Sequence, residues 1–391
     1  MIDFQSIFSE IIVKSFNPYS QGVFDKLARC HTAKMGVHTL KCDDSTCQKV
    51  QYQFHSCGNR HCPNCGELKK EEWMDNRRQE LLPTPYYHLV FTLAHELCPL
   101  ILGNRRLLFK LLFDAASQTI LNYAKMPEFL GATPGITMVL HTWGQDLNFH
   151  PHVHCIVSGG GFDGTNWVDA KRKKNNFLFP ESGLQNMFKA IFLDRIKTLP
   201  LEKEGLDFEK ILNEVSKKRW NVYAKAPFGG PAQVAEYLGR YTHKIAITKH
   251  RIVSMDKNTI TFRYKDYGDG NKTKRMTLLK TEFIRRFEQH ILPKRFTKIR
   301  HYGFLQNHGK QERLAKIRTC LKLEKIPEVV KIPVEIRMLE KYGKDIFKCP
   351  CCASGRLQIV ASYRYFETQT NVYKTLEKLR ERNKASPAKV E

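Results

Sequence analysis

Three groups of side chains in this sequence have types and spacings that suit chemistry. The first lies in "FHPHVHCIVSGGG", where His150, His152 and His154 occupy every second position. Alternate residues of a strand point to one face. His152 and His154 therefore share a face, while Val153 and Cys155 point the other way. Two imidazoles so placed can clamp one divalent ion. Pro151 separates His150 from the regular strand, which makes it a substrate contact or a reserve ligand. The three glycines that follow are expected to let the chain leave the strand close to the path of a bound polymer.

The second group is "YLGRYTHK". Tyr237 and Tyr241 are four apart and stand one turn apart on one face of a helix. Arg240, His243 and Lys244 surround them. Ordinary packing also explains a tyrosine pair at this spacing. Gly239 costs a helix roughly 1 kcal/mol relative to alanine, which marks a close approach of another backbone or of a ligand.

The third group is sulfur. Six of twelve cysteines fall between Cys30 and Cys65. Cys42-x4-Cys47 and Cys62-x2-Cys65 are two pairs fifteen residues apart, and two such pairs complete a tetrahedral zinc site. Cys30, His38, Cys57 and His61 would suffice for a second ion, with His31 or His55 as substitutes. Some of these are equally read as buried core groups, since free cysteine is often one. A module this short builds little core, so zinc is expected to hold it folded. Cys349-x2-Cys352, with Cys351 between, lacks an obvious partner pair and is read as ordinary cysteine, with a weak zinc knuckle as the alternative. Arg60 and His61 lie beside the ligands, within reach of phosphate.

Sixty-four Lys and Arg against 39 Asp and Glu leave a net charge of +25. Such an excess implies an extended anionic partner, of which nucleic acid is the usual one. No run of about 18 apolar residues is present, so no transmembrane helix and no membrane partner are expected. The first residues lack a basic segment and a cleavage site, which argues against secretion. A cytoplasmic protein then uses its cysteines for metal rather than disulfides.

These groups need elements to position them. Residues 1–25 read as helical, 69–82 as a charged helix, 86–93 as a strand and 104–124 as a helix. Residues 135–145 and 152–159 read as strands, and 162–220 as a basic insertion containing "KRKK". A helix starts near Pro231, a hairpin follows at 251–264, and 281–291 is a helix with a basic face. The tail from 378 reads as disordered. The order suits an α+β fold, a ferredoxin-like palm with an antiparallel sheet, beside a small N-terminal zinc-binding domain. The expected domains are 1–82, 83–305 with its insertion, and a basic region at 306–391. "FIRRFEQHILPKRFTKIRHYG" alternates cations with aromatics, the pattern that tracks phosphates and stacks unpaired bases. Arg285, Arg286, Lys294 and Arg295 are its candidate contacts.

A histidine-hydrophobic-histidine strand, a later Tyr-x3-Tyr helix and a strongly basic chain resemble the HUH endonucleases. The phrases "SCGNRHCPNC", "HPHVHCIVSGGG", "PFGGPAQVAEYLGRYTHKIAI" and "FIRRFEQHILPKRFTKIRHYG" are more specific. They resemble the rolling-circle transposases of the IS-ninety-one family, over roughly residues 25–305. The resemblance implies a prokaryotic, nucleoid-associated transposase that nicks and rejoins single-stranded DNA at insertion-sequence ends through a 5′-phosphotyrosine. Tyr237 and Tyr241 would be the nucleophiles, and His152 and His154 would hold Mg²⁺ or Mn²⁺. A third ligand is then needed. Gln145 is favoured, with His150 and His243 as alternatives. Imidazoles by themselves suit zinc better than magnesium. The sequence has no GxxxxGK[ST] loop, so no nucleotide cofactor is expected. It has no helicase motif either, so host replication or helicase proteins are expected partners. The same chemistry serves plasmid replication initiators and relaxases. A zinc-dependent DNA-binding regulator without catalysis is the alternative from another class.

Overall fold

A computed structural model describes residues 4–9, 18–171, 178–228, 233–234, 236–237, 239, 245–325, 332–352 and 354–363. In chain order the elements are α1 (Phe4–Ser9), α2 (Pro18–Arg29), β1 (Val37–Cys42), β2 (Val50–Phe54), α3 (Glu67–Glu80), β3 (Tyr86–Thr92), α4 (Cys98–Gly103), α5 (Arg105–Lys125), β4 (Thr133–Trp143), β5 (Phe149–Phe162), β6 (Trp167–Asp169), α6 (Glu181–Ile196), α7 (Phe208–Lys217), β7 (Val222–Phe228), β8 (Ile252–Met255), β9 (Thr259–Asp266), β10 (Lys272–Leu279), α8 (Lys280–Gln289), β11 (Ile299–Gly303), α9 (Lys310–Cys320), α10 (Val334–Tyr342) and β12 (Leu357–Tyr363). Among the described residues no helix is long and apolar enough to cross a membrane. The tail from 378 and residues 172–174 of "KRKK" lie outside them.

The chain divides into two compact units. One is Met1–Leu68 with Thr248–Ile252 and Val330–Glu391; the other is Lys69–Ile247 with Val253–Val329. The C-terminal stretch is thus shared between them.

The first unit is built on a three-stranded antiparallel sheet in the order β12-β1-β2. Helices α1 and α2 of this unit bury Ile7, Phe8, Val23, Phe24 and Leu27. The apolar clusters on the sheet are small. One comprises Leu40, Cys42, Cys349 and Leu357, and another surrounds Val37.

The second unit has an antiparallel sheet whose spatial order is β11-β4-β5-β3-β7, with β6 on β5. The expected α+β class with an antiparallel sheet is therefore what the chain adopts. One face of the sheet carries the main core. Helix α5 contributes Leu108, Phe109, Leu112, Phe113 and Ala116, spaced as a helix face requires. Helix α6 adds Leu184, Phe188, Phe192 and Ile196, a stripe at every fourth residue. Helix α7 starts where the Asp207 carboxylate accepts the Lys210 N–H at 3.0 Å, which satisfies an otherwise unpaired donor.

The segment 162–220, read as an insertion, is thus part of the core. Its described lysines are exposed or half-buried, while Phe179, Phe188 and Trp220 are almost completely buried. The glycines of the opening motif also differ from expectation. Strand β5 does not end there but runs on to Phe162. A Cβ on Gly160 would lie 2.2 Å from the Trp167 ring, and one on Gly161 would lie 2.9 Å from the Thr133 carbonyl. Close packing of neighbours, not an exit from the sheet, requires glycine at both positions.

Candidate active site and metal centres

The other face of the second unit's sheet gathers histidines. In β5, Val153 and Cys155 are buried and face the main core, while His152 and His154 look to the opposite side. Antiparallel register places His141 of β4 directly across from His152. Directly opposed residues share a face, so His141 joins the pair. The ring nitrogens of His141, His152 and His154 all lie within 4.8 Å of one another. Trp143 stacks on His141 with ring centroids 4.8 Å apart. The β4–β5 register shifts between His141 and Trp143, and Pro151 occupies that irregular stretch, where its missing N–H costs nothing.

The hydrogen bonds fix one tautomer. His152 Nδ1 lies 2.7 Å from the His150 carbonyl oxygen. A carbonyl only accepts, so Nδ1 carries the proton and Nε2 keeps its lone pair. His152 Nε2 lies 3.2 Å from His154 Nε2. Two ligands about 2.1 Å from one ion sit about 3.0 Å apart in an octahedron and about 3.4 Å apart in a tetrahedron. The pair therefore fits a shared divalent cation. Gln145, expected as the third ligand, donates from Nε2 to the Tyr267 hydroxyl at 3.1 Å. His150 is exposed on the same strand. His243 lies outside the described residues.

Residues 233, 234, 236, 237 and 239 are helical. Val234 packs with Tyr86 and Ile156 in a second cluster, flanked by Trp73, Phe228 and Tyr237. This cluster lies on the histidine face, because Ile156 is two residues beyond His154. It brings the Tyr237 hydroxyl to 3.1 Å from His154 Nδ1 and 2.6 Å from His88 Nε2. His88 stands on β3 opposite Ile156, and its Nε2 is 3.0 Å from His154 Nδ1. Burial, with Lys225 as a lesser cause, lowers its pKa to about 4. His88 was not singled out from the sequence. The available signal was an ionisable residue inside the otherwise apolar run "YYHLVFTL". Gly239 faces the Met74 side chain of α3, to which a Cβ would come within 2.2 Å. Tyr241, Arg240 and Lys244 lie outside the described residues.

The first unit holds two sulfur groups: Cys30, Cys57, Cys62 and Cys65, and Cys42, Cys47, Cys349 and Cys352. In the first, Cys30 and Cys62 Sγ are 3.5 Å apart and Cys57 and Cys65 Sγ are 3.6 Å apart. Zinc with Zn–S bonds of about 2.3 Å separates its sulfurs by about 3.8 Å, so the fit is close. Backbone N–H groups of Cys57, Asn59 and Asn64 donate to Cys30, Cys57 and Cys62 sulfur at 3.3 to 3.4 Å. Such bonds stabilise thiolates. Crowding splits the acidities: Cys62 is pushed far up and Cys65 far down, in both cases first by Cys30. The structure thus assigns Cys42 and Cys47 to a different group from Cys62 and Cys65. His38 belongs to neither group; its ring tilts against His55 at 4.3 Å. His61 is likewise outside both.

Among the expected DNA contacts, Arg60, Lys294 and Arg295 are exposed. Arg285 and Arg286 both bind Glu282 at 2.7 Å, and Arg286 also donates to the Asp146 carbonyl at 3.0 Å. These two arginines therefore serve the helix α8 surface in this structure.

Comparison with known proteins agrees with this arrangement. A family model described as "Transposase zinc-binding domain" matches residues 3–93, and one described as "Putative transposase" matches residues 135–313. The chain is 39% identical over 360 residues to "Putative transposase y4qJ" of Sinorhizobium fredii (strain NBRC 101917 / NGR234), covering 88% of this chain and 89% of that one. It is 29% identical over 351 residues to the transposase for insertion sequence element IS801 of Pseudomonas savastanoi pv. phaseolicola, covering 86% and 82%. No solved structure matches. With a zinc-binding region of four close thiols ahead of a histidine-bearing sheet, and a relative this similar along nearly its whole length, the chain belongs to the IS-ninety-one family of transposases.

Proposed function

We propose that this transposase nicks and rejoins single-stranded DNA at the ends of its insertion sequence, through a 5′-phosphotyrosine on Tyr237. The observation that carries this reading is the position of the Tyr237 hydroxyl, 3.1 Å from a histidine whose other nitrogen faces His152. His141, His152 and His154 would hold the divalent ion, with His141 in the place expected for Gln145. Of Mg²⁺ and Mn²⁺, an all-imidazole set suits Mn²⁺ better. When bound, the ion polarises the scissile phosphate and stabilises its added charge.

The chain's own groups do the rest. His152 keeps Nε2 available because the His150 carbonyl holds its other proton. If Nε2 of His154 were to hold the ion, its Nδ1 would carry the proton and donate to the tyrosine oxygen. The tyrosine hydroxyl in turn donates to His88 Nε2, which is neutral near pH 7 and so accepts. The tyrosine oxygen forms its bond to phosphorus as its proton passes to His88 Nε2. The phosphorus–O3′ bond breaks, and the leaving 3′-oxygen takes a proton from solvent water, so that the cut strand ends in a hydroxyl. Rejoining reverses each step. One phosphodiester is exchanged for another, so no nucleotide is consumed. Tyr241 serves a second strand in this reading, Arg60, Lys294 and Arg295 track phosphates, and host proteins open the duplex.

The test incubates single-stranded element ends, labelled 3′ of the nick, with Mn²⁺ or Mg²⁺ and resolves products on denaturing gels. The wild type gives a labelled covalent adduct. Tyr237→Phe loses it by roughly a thousandfold or more, and His88→Ala slows its formation by roughly a hundredfold. A wild type that binds metal but forms no adduct overturns the reading, as does a Tyr237→Phe variant that forms it at the native rate.

A further inference from the structure

We propose that Cys42, Cys47, Cys349 and Cys352 hold a second structural zinc ion that fastens the two ends of the chain into one module. The zinc-binding family match ends at residue 93, and the transposase match ends at 313. Half of this sulfur group therefore lies beyond both.

The strand register builds the site. Cys42 ends β1 and stands opposite Leu357, the first residue of β12. The turn carrying Cys349 and Cys352 immediately precedes that strand. Backbone bonds lock the two turns together. Asp43 N–H donates to the Arg356 carbonyl at 2.9 Å, and Arg356 N–H donates to the Asp43 carboxylate at 2.7 Å. Cys349 N–H donates to the Gly355 carbonyl at 2.9 Å. The result places Cys42 Sγ 3.6 Å from Cys352 Sγ, and Cys47 Sγ 3.7 Å from Cys349 Sγ. Those separations match the roughly 3.8 Å of a tetrahedral zinc tetrathiolate and far exceed the roughly 2.05 Å of a disulfide.

The surroundings prepare thiolates. Cys351 N–H donates to Cys349 Sγ at 3.4 Å, and Gly355 N–H donates to Cys352 Sγ at 3.3 Å. Gly355 also leaves room for the sulfurs, since a Cβ there would lie 2.3 Å from Cys42 Sγ. Four soft sulfur donors select zinc over magnesium or calcium. The local apolar cluster is too small to hold these turns by burial, with Leu40 and Leu357 its buried members besides cysteine. The paired ligands are 302 and 310 positions apart in sequence. The module therefore completes itself only after the chain has been synthesised past Cys352.

The experiment is alkylation of the zinc-loaded full-length protein, mapped by mass spectrometry. Exposed Cys351 and Cys320 react at once, while Cys42, Cys47, Cys349 and Cys352 are protected until a chelator is added. In a Cys349→Ser/Cys352→Ser variant, Cys42 and Cys47 become reactive, Cys30, Cys57, Cys62 and Cys65 stay protected, and bound zinc falls by one ion per chain. Reactive Cys349 and Cys352 in the loaded wild type overturn the proposal. So does protection that yields to a reductant but not to a chelator, or a double variant that keeps Cys42 and Cys47 protected. The wild-type measurement decides the matter even if the variant misfolds.

Discussion

The two units of this transposase are held together by different physics. The sheet unit buries a continuous apolar core in which Phe91, Phe109, Phe113, Phe188 and Phe192 are essentially inaccessible. In the sulfur-bearing unit, helices α1 and α2 bury Ile7, Phe8, Val23, Phe24 and Leu27, but the three short strands beside the sulfur groups carry apolar clusters of only a few residues. Burial contributes roughly 25 cal/mol per Å² of apolar surface, which clusters as small as those at the sulfur turns cannot accumulate against the entropy of ordering them. Metal–thiolate bonds supply the difference. The same contrast places the chemistry. The histidines and Tyr237 of the proposed site stand on a face of the large sheet whose opposite side is fully packed, and such a scaffold holds groups in register.

The largest expected effect tests this division directly. Stripping zinc with a strong chelator should unfold the sulfur unit outright, since structural zinc contributes on the order of 10 kcal/mol or more to such modules. Hydrogen exchange should then show lost protection at residues 37–42, 50–54 and 357–363, with β3, β4 and β5 still protected. Equal protection of both units after the zinc has gone would break the comparison. The reciprocal change is Phe188→Ala. Phe188 is completely buried, with its ring 5.0 Å edge-on to Phe91 and 5.3 Å from Trp220. Its removal should cost the sheet unit about 3–5 kcal/mol in denaturant unfolding and leave bound zinc unchanged.

The two units also differed in how far the sequence disclosed them. Strands β3, β4 and β5 and helix α5 were legible because alternation and helical spacing are local signals. The reach of residues 162–220 into the core was not. Their many lysines obscured a buried stripe at Leu184, Phe188, Phe192 and Ile196. Cysteine spacing revealed metal sites but not their membership. Cys42 and Cys47 could pair equally well with Cys62 and Cys65 or with Cys349 and Cys352, and only the pairing of β1 with β12 decides. The histidine face shows the same limit. His152 and His154 are neighbours along one strand and were legible. His141 and His88 join them through antiparallel register across strands, which no local spacing encodes.

Acid separates the units again, with a smaller effect. His290 is fully buried, donates from Nε2 to the Leu147 carbonyl at 3.1 Å, and receives the Thr142 hydroxyl at Nδ1 at 3.3 Å. Burial lowers its pKa from 6.5 to about 4. The folded sheet unit therefore holds it neutral, while the unfolded chain protonates near 6.5. Its contribution is complete above pH 6.5 and is lost progressively as pH falls through about 4, on the order of 3 kcal/mol in all. His88 and His301, also lowered to about 4 mainly by burial, add to the same slope. Unfolding of the sheet unit followed from pH 7 to pH 4 should show this loss, and His290→Gln should reduce it. A flat profile in the wild type would mean that the sheet unit tolerates charge where burial says it cannot.

The smallest predicted effect probes how finely the metal-held unit is fitted. At Gly355 an added methyl would meet Cys42 Sγ at 2.3 Å, the Asp44 Cβ at 2.9 Å and Cys352 Sγ at 3.1 Å. None of these is the free end of a flexible side chain. Cys42 is anchored in β1, Asp44 is fixed by its bonds to Thr46 N and Oγ1, and Cys352 is held by the Gly355 N–H itself. The methyl must therefore push a sulfur out of its tetrahedral position. Gly355→Ala should weaken the Cys42/Cys47/Cys349/Cys352 site by about tenfold, or about 1.4 kcal/mol, within the range seen for residues that support ligands. The Cys30/Cys57/Cys62/Cys65 site should bind as before. Competition against a zinc-sensitive dye resolves the two sites, because only one of them should shift. If the variant binds both ions at native strength, the turn yields more than its hydrogen bonds suggest, and rigidity in this unit resides in the metal–sulfur bonds rather than in the loops that present them.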